Sequence, residues 1–98
     1  MSIHSGTQFV WDPAKAKANE TAHGVSFVEA DTVFDDDHAI TAEDVHSMDE
    51  QRYVTLGMSA NARLLVVGYT WRGPDTIRII SAWRANTRQG KTYAQGLS

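Results

Sequence analysis

At 98 residues, 42% of them hydrophobic, the chain is sized for one domain with a modest core. No apolar run approaches the ~20 residues that span a bilayer, the first residues lack the basic and apolar regions of a signal peptide, and the absence of cysteine excludes disulfides and thiolate metal sites. The net charge of -3 conceals a division: residues 1–50 carry eleven acids against two lysines, whereas residues 51–98 carry six arginines and one lysine against Asp75 alone. Such asymmetry points to an anion met by the second half, or to the acidic half lying across the basic one. The acidic total argues against tight non-specific nucleic-acid binding, so any such contact should be local. A cytoplasmic location fits this composition.

Taken in order, residues 1–8 read as a flexible lead-in and Phe9-Val10-Trp11 as a short edge strand. Asp12 and Pro13 then supply a helix cap and first residue. The helix runs through AKAKANETAH and stops at Gly24. Its small, polar residues put it on the surface. Ser26 and Glu29 have the spacing of a capping box, and Phe27, Ala30, Val33 and Phe34 give the second helix one apolar face. The acid run Asp35-Asp36-Asp37 ends it. His38 to Thr41 reads as a weak strand, and Ala42 to Gln51 as an acidic loop. Arg52 to Arg84 is a three-strand antiparallel meander. Asn86 or Thr87 opens a last helix that Gly90 weakens by ~1 kcal/mol relative to alanine. The whole, residues 1–98, is expected to be a single α+β domain with two N-terminal helices packed on the meander and a C-terminal helix.

The meander carries the clearest pattern. With side chains alternating between faces, Leu65, Val67, Tyr69 and Trp71 point one way, joined from the last strand by Ile77, Ile79, Ser81 and Trp83. If the Gly73-Pro74-Asp75 turn pairs Arg72 with Thr76, then Arg72, Arg78 and Arg84 share the other face. Arg52 joins them if the Ser59–Ala62 turn keeps register. Guanidinium groups fork their donors toward phosphate oxygens and stay charged, so such a face could hold an RNA backbone and stabilise a phosphorane-like transition state. The plainer alternative is that these arginines keep the sheet soluble and unpaired at its edges.

His23, at the end of the first helix, is favoured there as a cation. That suits a general acid, and equally a helix cap. His38 and His46 lie among carboxylates, but their spacing matches no metal-binding motif, and a solvated acidic loop is the simpler reading. There is no serine or cysteine nucleophile motif and no glycine-rich phosphate loop. An enzyme built from these residues would use acid–base chemistry assisted by arginine, without a bound nucleotide cofactor.

The run Phe9-x-Trp11-Asp12-x-x-Lys15, Asn19, then His23-Gly24-Val25-Ser26-Phe27-x-Glu29-Ala30 resembles the N-terminal signature of the BrnT family. The resemblance continues through His46-Ser47-x-Asp49-Glu50-x-Arg52, LLVVGYTWR and Ile77-Arg78-Ile79-Ile80-Ser81-Ala82-x-Arg84-Ala85, and covers residues 9 to 93. It implies a RelE-like fold and the function of a type II toxin. Such a toxin is a metal-independent endoribonuclease that arrests translation. A BrnA-like ribbon-helix-helix antitoxin neutralises it in a hetero-oligomer, and DNA is met only through that antitoxin. Carried over by position, the catalytic residues are His23, Arg52, Arg78 and Arg84, and the RNA-binding residues Arg72, Arg88, Lys91 and Tyr93. The family commonly has lysine where this chain has Ala22 and arginine where it has Trp83. Each departure removes a positive charge, which leaves a degenerate toxin acting as a protein-binding module as the alternative.

Overall fold

The computed structural model describes residues 6–45 and 50–97. Its elements are β1 (Gln8–Val10), α1 (Pro13–His23), α2 (Phe27–Asp31) continued by a 3₁₀ turn (Thr32–Asp35), β2 (Ile40–Asp44), β3 (Arg52–Met58), β4 (Leu64–Trp71), β5 (Thr76–Arg84) and α3 (Thr87–Leu97). They build one five-stranded sheet in the order β1-β5-β4-β3-β2. The expected meander is its centre, and two edge strands extend it. β1 pairs parallel to β5, while every other pair is antiparallel. Of the eight residues expected to be flexible, 1–5 lie outside the described residues. Gln8 already belongs to the sheet, and its N–H donates to the Asp75 carbonyl at 2.7 Å.

Helix boundaries follow local chemistry. Asp12 caps α1 by accepting the Ala14 N–H at 2.9 Å, Pro13 begins it, and Gly24 ends it in the left-handed region at φ 68°. Ser26 accepts the Glu29 N–H at 3.0 Å to start α2. α3 has a reciprocal capping box: Asn86 Oδ1 accepts the Gln89 N–H at 2.8 Å, and Gln89 Oε1 accepts the Asn86 N–H at 2.9 Å.

The core lies between one sheet face and the segment from Val25 to Phe34. Val25, Phe27, Ala30, Val33 and Phe34 meet Leu65, Val67, Tyr69, Ile77, Ile79 and Ala82, all buried. Phe34 stands edge-on to Tyr69 with ring centroids 4.9 Å apart. The close approach depends on Gly57, where a Cβ would sit 2.7 Å from Val33 Cγ1 and 3.0 Å from the Ala39 methyl. α3 lies against β3, with Gly96 facing the Ile40 side chain.

Two expectations need correction. Residues Ala42 to Asp44, expected in a loop, pair with β3 as part of β2. Every residue of β2 except Asp44 is exposed, so the strand has no buried alternation to betray it. The second correction concerns the faces of β5. Val67 stands opposite Ala82 and Gly68 opposite Ser81, but Tyr69 stands opposite Ile79, so Ile80 is an extra residue. This bulge reverses the alternation along the strand. Ala82 therefore faces the core with Val67, and Arg84, opposite Leu65, follows it to the helix-bearing face. Trp83 goes the other way. Placed with the apolar residues by simple alternation, it instead shares the face away from α2 with Val66 and Gly68.

Candidate functional site

His23 and Arg84 end the two elements that α1 and β5 bring together. The joint is Asn19, the one buried residue of α1. Past the end of β1, β5 has a free edge, and Asn19 completes it as a strand would. Its amide donates to the Ala82 carbonyl at 2.8 Å and to the Val25 carbonyl at 3.0 Å, and its oxygen accepts the Ala82 N–H at 3.1 Å. One turn later, His23 reaches the end of β5 beside Trp83, with ring centroids 6.4 Å apart and the planes inclined at 50°. Ala22, His23, Trp83 and Arg84 line an open cleft of about 540 Å³. His23 and Arg84 are both exposed, and neither makes an ion pair with a described residue. The cleft thus holds an imidazole and an uncommitted guanidinium.

The remaining arginines of the meander are elsewhere. Arg72 N–H donates to the Thr76 carbonyl at 2.8 Å, which gives the pairing expected of the Gly73-Pro74-Asp75 turn. Arg52, Arg72 and Arg78 consequently share the face away from α2. Glu50 lies between two of them, 4.0 Å from Arg52 Nε and 3.6 Å from Arg72 Nη1. Arg72 and Arg78 also line a concavity of about 290 Å³ with Val10, Trp11 and Asp12. Five residues of β5, one of them bulged, lie between Arg78 and Arg84, so the two are roughly 17–20 Å apart along the strand. A small cavity of about 70 Å³, floored by Gly68 and Ser81, lies between Arg52 and Trp83. Rather than one arginine face, the fold presents two stations: His23 with Arg84, and Arg52 with Arg72 and Arg78.

The C-terminal candidates divide as well. Arg88 and Lys91 are exposed on α3. Tyr93 is buried, and its hydroxyl donates to Asp36 Oδ2 at 2.6 Å. Burial and the adjacent carboxylate push that phenol up to about 12. Asp36 Oδ2 also accepts the Met58 N–H at 2.8 Å, and Oδ1 the His38 N–H at 2.9 Å. Burial opposes ionisation of Asp36, yet the Tyr93 hydroxyl and these amides outweigh it and hold the carboxyl below its usual range. Tyr93 is therefore placed as a strut fastening α3, not as a side chain facing a ligand. His46 lies outside the described residues. Among those described, no three histidine, aspartate or glutamate side chains gather as a metal site.

Glu29, expected to complete a capping box with Ser26 and included in the resemblance, turns away from the helix start. Its carboxylate receives both Nε, at 2.9 Å, and Nη2 of Arg63, together with the Ser59 hydroxyl at 2.7 Å. Arg63 Nη2 also donates to the Gly24 carbonyl at 3.1 Å. This pair ties the β3–β4 turn to the chain reversal directly after His23. A buried acid on an otherwise apolar helix face was the signal in the sequence that a cation had to meet it.

Residues 11–89 match the family described as ribonuclease toxin, BrnT, of type II toxin-antitoxin system. Among solved structures, the chain is similar to the Brucella abortus ribonuclease toxin BrnT, with a TM-score of 0.65 and 18% identity over 83% of this chain and 99% of that one. No curated protein matches. At that identity the likeness speaks for the shared α+β fold, while the family match spans most of the sequence. The chain belongs to the BrnT family of ribonuclease toxins of type II toxin–antitoxin systems.

Proposed function

We propose that this member is an active endoribonuclease that arrests translation until a partner antitoxin covers it. Family membership carries the class of function and implies a protein antitoxin. The observation that supports activity is the cleft in which His23 and Arg84 stand exposed and unpaired among the described residues. In RNA cleavage the 2′-hydroxyl attacks the adjacent phosphorus and the bond to the 5′-oxygen breaks. A 2′,3′-cyclic phosphate and a 5′-hydroxyl result. His23 delivers the proton that the leaving oxygen takes up, while the proton of the 2′-hydroxyl passes to solvent. Arg84 offers forked donors to the non-bridging oxygens as their charge grows. No step is assigned to a metal, so cleavage should persist in a chelator. The antitoxin that fits the family reading is a BrnA-like ribbon-helix-helix protein, through which the complex would meet DNA.

Induced expression of the chain alone tests this reading. Growth should arrest, with RNA cleaved, and co-expression of a ribbon-helix-helix protein encoded beside it should restore growth. A folded protein that neither arrests growth nor cleaves RNA would sink the proposal.

One observation favours a second reading. Ala22 and Trp83, the two departures from the family pattern, both line the cleft that holds His23 and Arg84. Loss of two cations at that place is what a degenerate toxin, retained as a protein-binding module, would show. Tight antitoxin binding by a protein that leaves RNA intact would select this alternative.

A further inference from the structure

We infer that the concavity formed by Trp11, Asp12, Arg72 and Arg78 is a second RNA subsite, which seats a phosphate and a neighbouring base several nucleotides from the cleavage cleft. The inference rests on the ribonuclease reading and extends it to the substrate, a single strand long enough to occupy both ends of β5.

The chemistry of the concavity is complete for one nucleotide. Trp11 is half-buried and meets Phe27 edge-on, with centroids 6.0 Å apart and planes at 78°. One part of the indole is thereby held by the core, and the remainder is fixed where a base can stack on it. Arg78 is anchored from both sides, because β5 pairs Val10 and Thr70 with it. It makes no ion pair with a described residue, and Arg72 beside it is held by Glu50 at 3.6 Å. The two guanidinium groups supply the donors for a phosphate. Asp12 uses Oδ1 to cap α1 and makes no ion pair with either arginine. Its other oxygen can accept from a base amine and repels a phosphate, which fixes the order of the two groups within the concavity.

Distance defines the substrate. The roughly 17–20 Å of β5 backbone between Arg78 and Arg84, whose side chains leave opposite faces of the sheet, sets a minimum of about five nucleotides at the ~3.4 Å rise of a stacked strand. A fragment of two or three stacked nucleotides would reach one station only.

The test measures fluorescence anisotropy with uncleavable 2′-O-methyl RNAs of about ten and about three nucleotides, one long enough to reach both stations and one too short, at the ~3.4 Å rise of a stacked strand. The longer RNA should bind about tenfold or more tightly, as expected when two linked contacts act together. Arg78→Gln should reduce that advantage toward one, and Arg78→Lys should restore part of it, with circular dichroism reporting an unchanged fold. Equal binding of both lengths by the wild type, or an advantage that survives Arg78→Gln, overturns the subsite. Length-dependent binding sensitive to Arg78 in a protein that never cleaves RNA would uphold the subsite and refute the catalytic reading instead.

Discussion

Glu29 shows how one residue type can carry two meanings. In the sequence it completes a capping box with Ser26. In the fold, Ser26 caps α2 alone, and the Glu29 carboxylate instead receives Arg63 and Ser59. The hydrogen bonds from Arg63 outweigh burial and hold this carboxyl below the ordinary glutamate range. Because its folded-state pKa is depressed, its contribution to stability is present above the unfolded value of about 4.3 and is lost as pH falls through the folded one. Urea denaturation should therefore give a flat midpoint from neutral pH down to about pH 5 and a falling one below about pH 4. Glu29→Gln should lower the midpoint at neutral pH and flatten part of the acid limb. An acid limb identical to wild type would remove Glu29 as its source. Tyr93 carries the opposite sign. Its pKa, raised to about 12, keeps the phenol that donates to Asp36 protonated, so its contribution to stability is whole below the ordinary tyrosine value of about 10 and is lost as pH rises from there through about 12.

At the scale of elements, local signals were the legible ones. Asp12-Pro13, Gly24, Ser26 and Asn86 act within a few residues of themselves, and they fixed the ends of α1, the start of α2 and the start of α3. The meander and its Arg72–Thr76 pairing could also be read, because period-two alternation is local. The bulge at Ile80 could not. Nothing in Ile79-Ile80-Ser81 distinguishes a bulged isoleucine from a paired one, yet the extra residue moves Arg84 to the face that bears α2 and Trp83 to the opposite one. That single residue divides the expected arginine face. β1 was expected as an edge strand, but its parallel partner β5 lies more than sixty residues later in the chain. Asn19 is similar: its polarity suggested a surface helix, whereas its amide completes the free edge of β5. Asn19→Ala should remove the partners of the Ala82 N–H and C=O and one from the Val25 carbonyl, at a cost of about 1–3 kcal/mol for each buried group left unsatisfied. Chemical denaturation measures it. A change below about 0.5 kcal/mol, the level of an ordinary surface substitution, would contradict the edge-completing role.

For the whole molecule, the charge division seen in composition becomes spatial. The basic half supplies β3, β4, β5 and α3, and the acidic half supplies α1, α2 and the exposed edge strand β2. Glu50 reaches Arg52 and Arg72, so the two halves neutralise each other in part, whereas Arg78 and Arg84 make no ion pair among the described residues. Among the described residues, no helix is long and apolar enough to cross a membrane. The family was legible because its motifs are spread along residues 11–89. The arrangement of the site was less so, since His23 and Arg84 meet only after α1 docks on a bulged strand.

The most direct test of the cleft is the rate at which the purified protein cleaves a single-stranded RNA in the presence of a chelator, compared with that of His23→Gln. The wild type should generate 2′,3′-cyclic phosphate ends, and loss of the proton donor should slow cleavage by about 10²–10⁴-fold, the usual contribution of a positioned acid or base, while the thermal midpoint stays unchanged. A folded His23→Gln protein that cleaves at the wild-type rate would contradict the account.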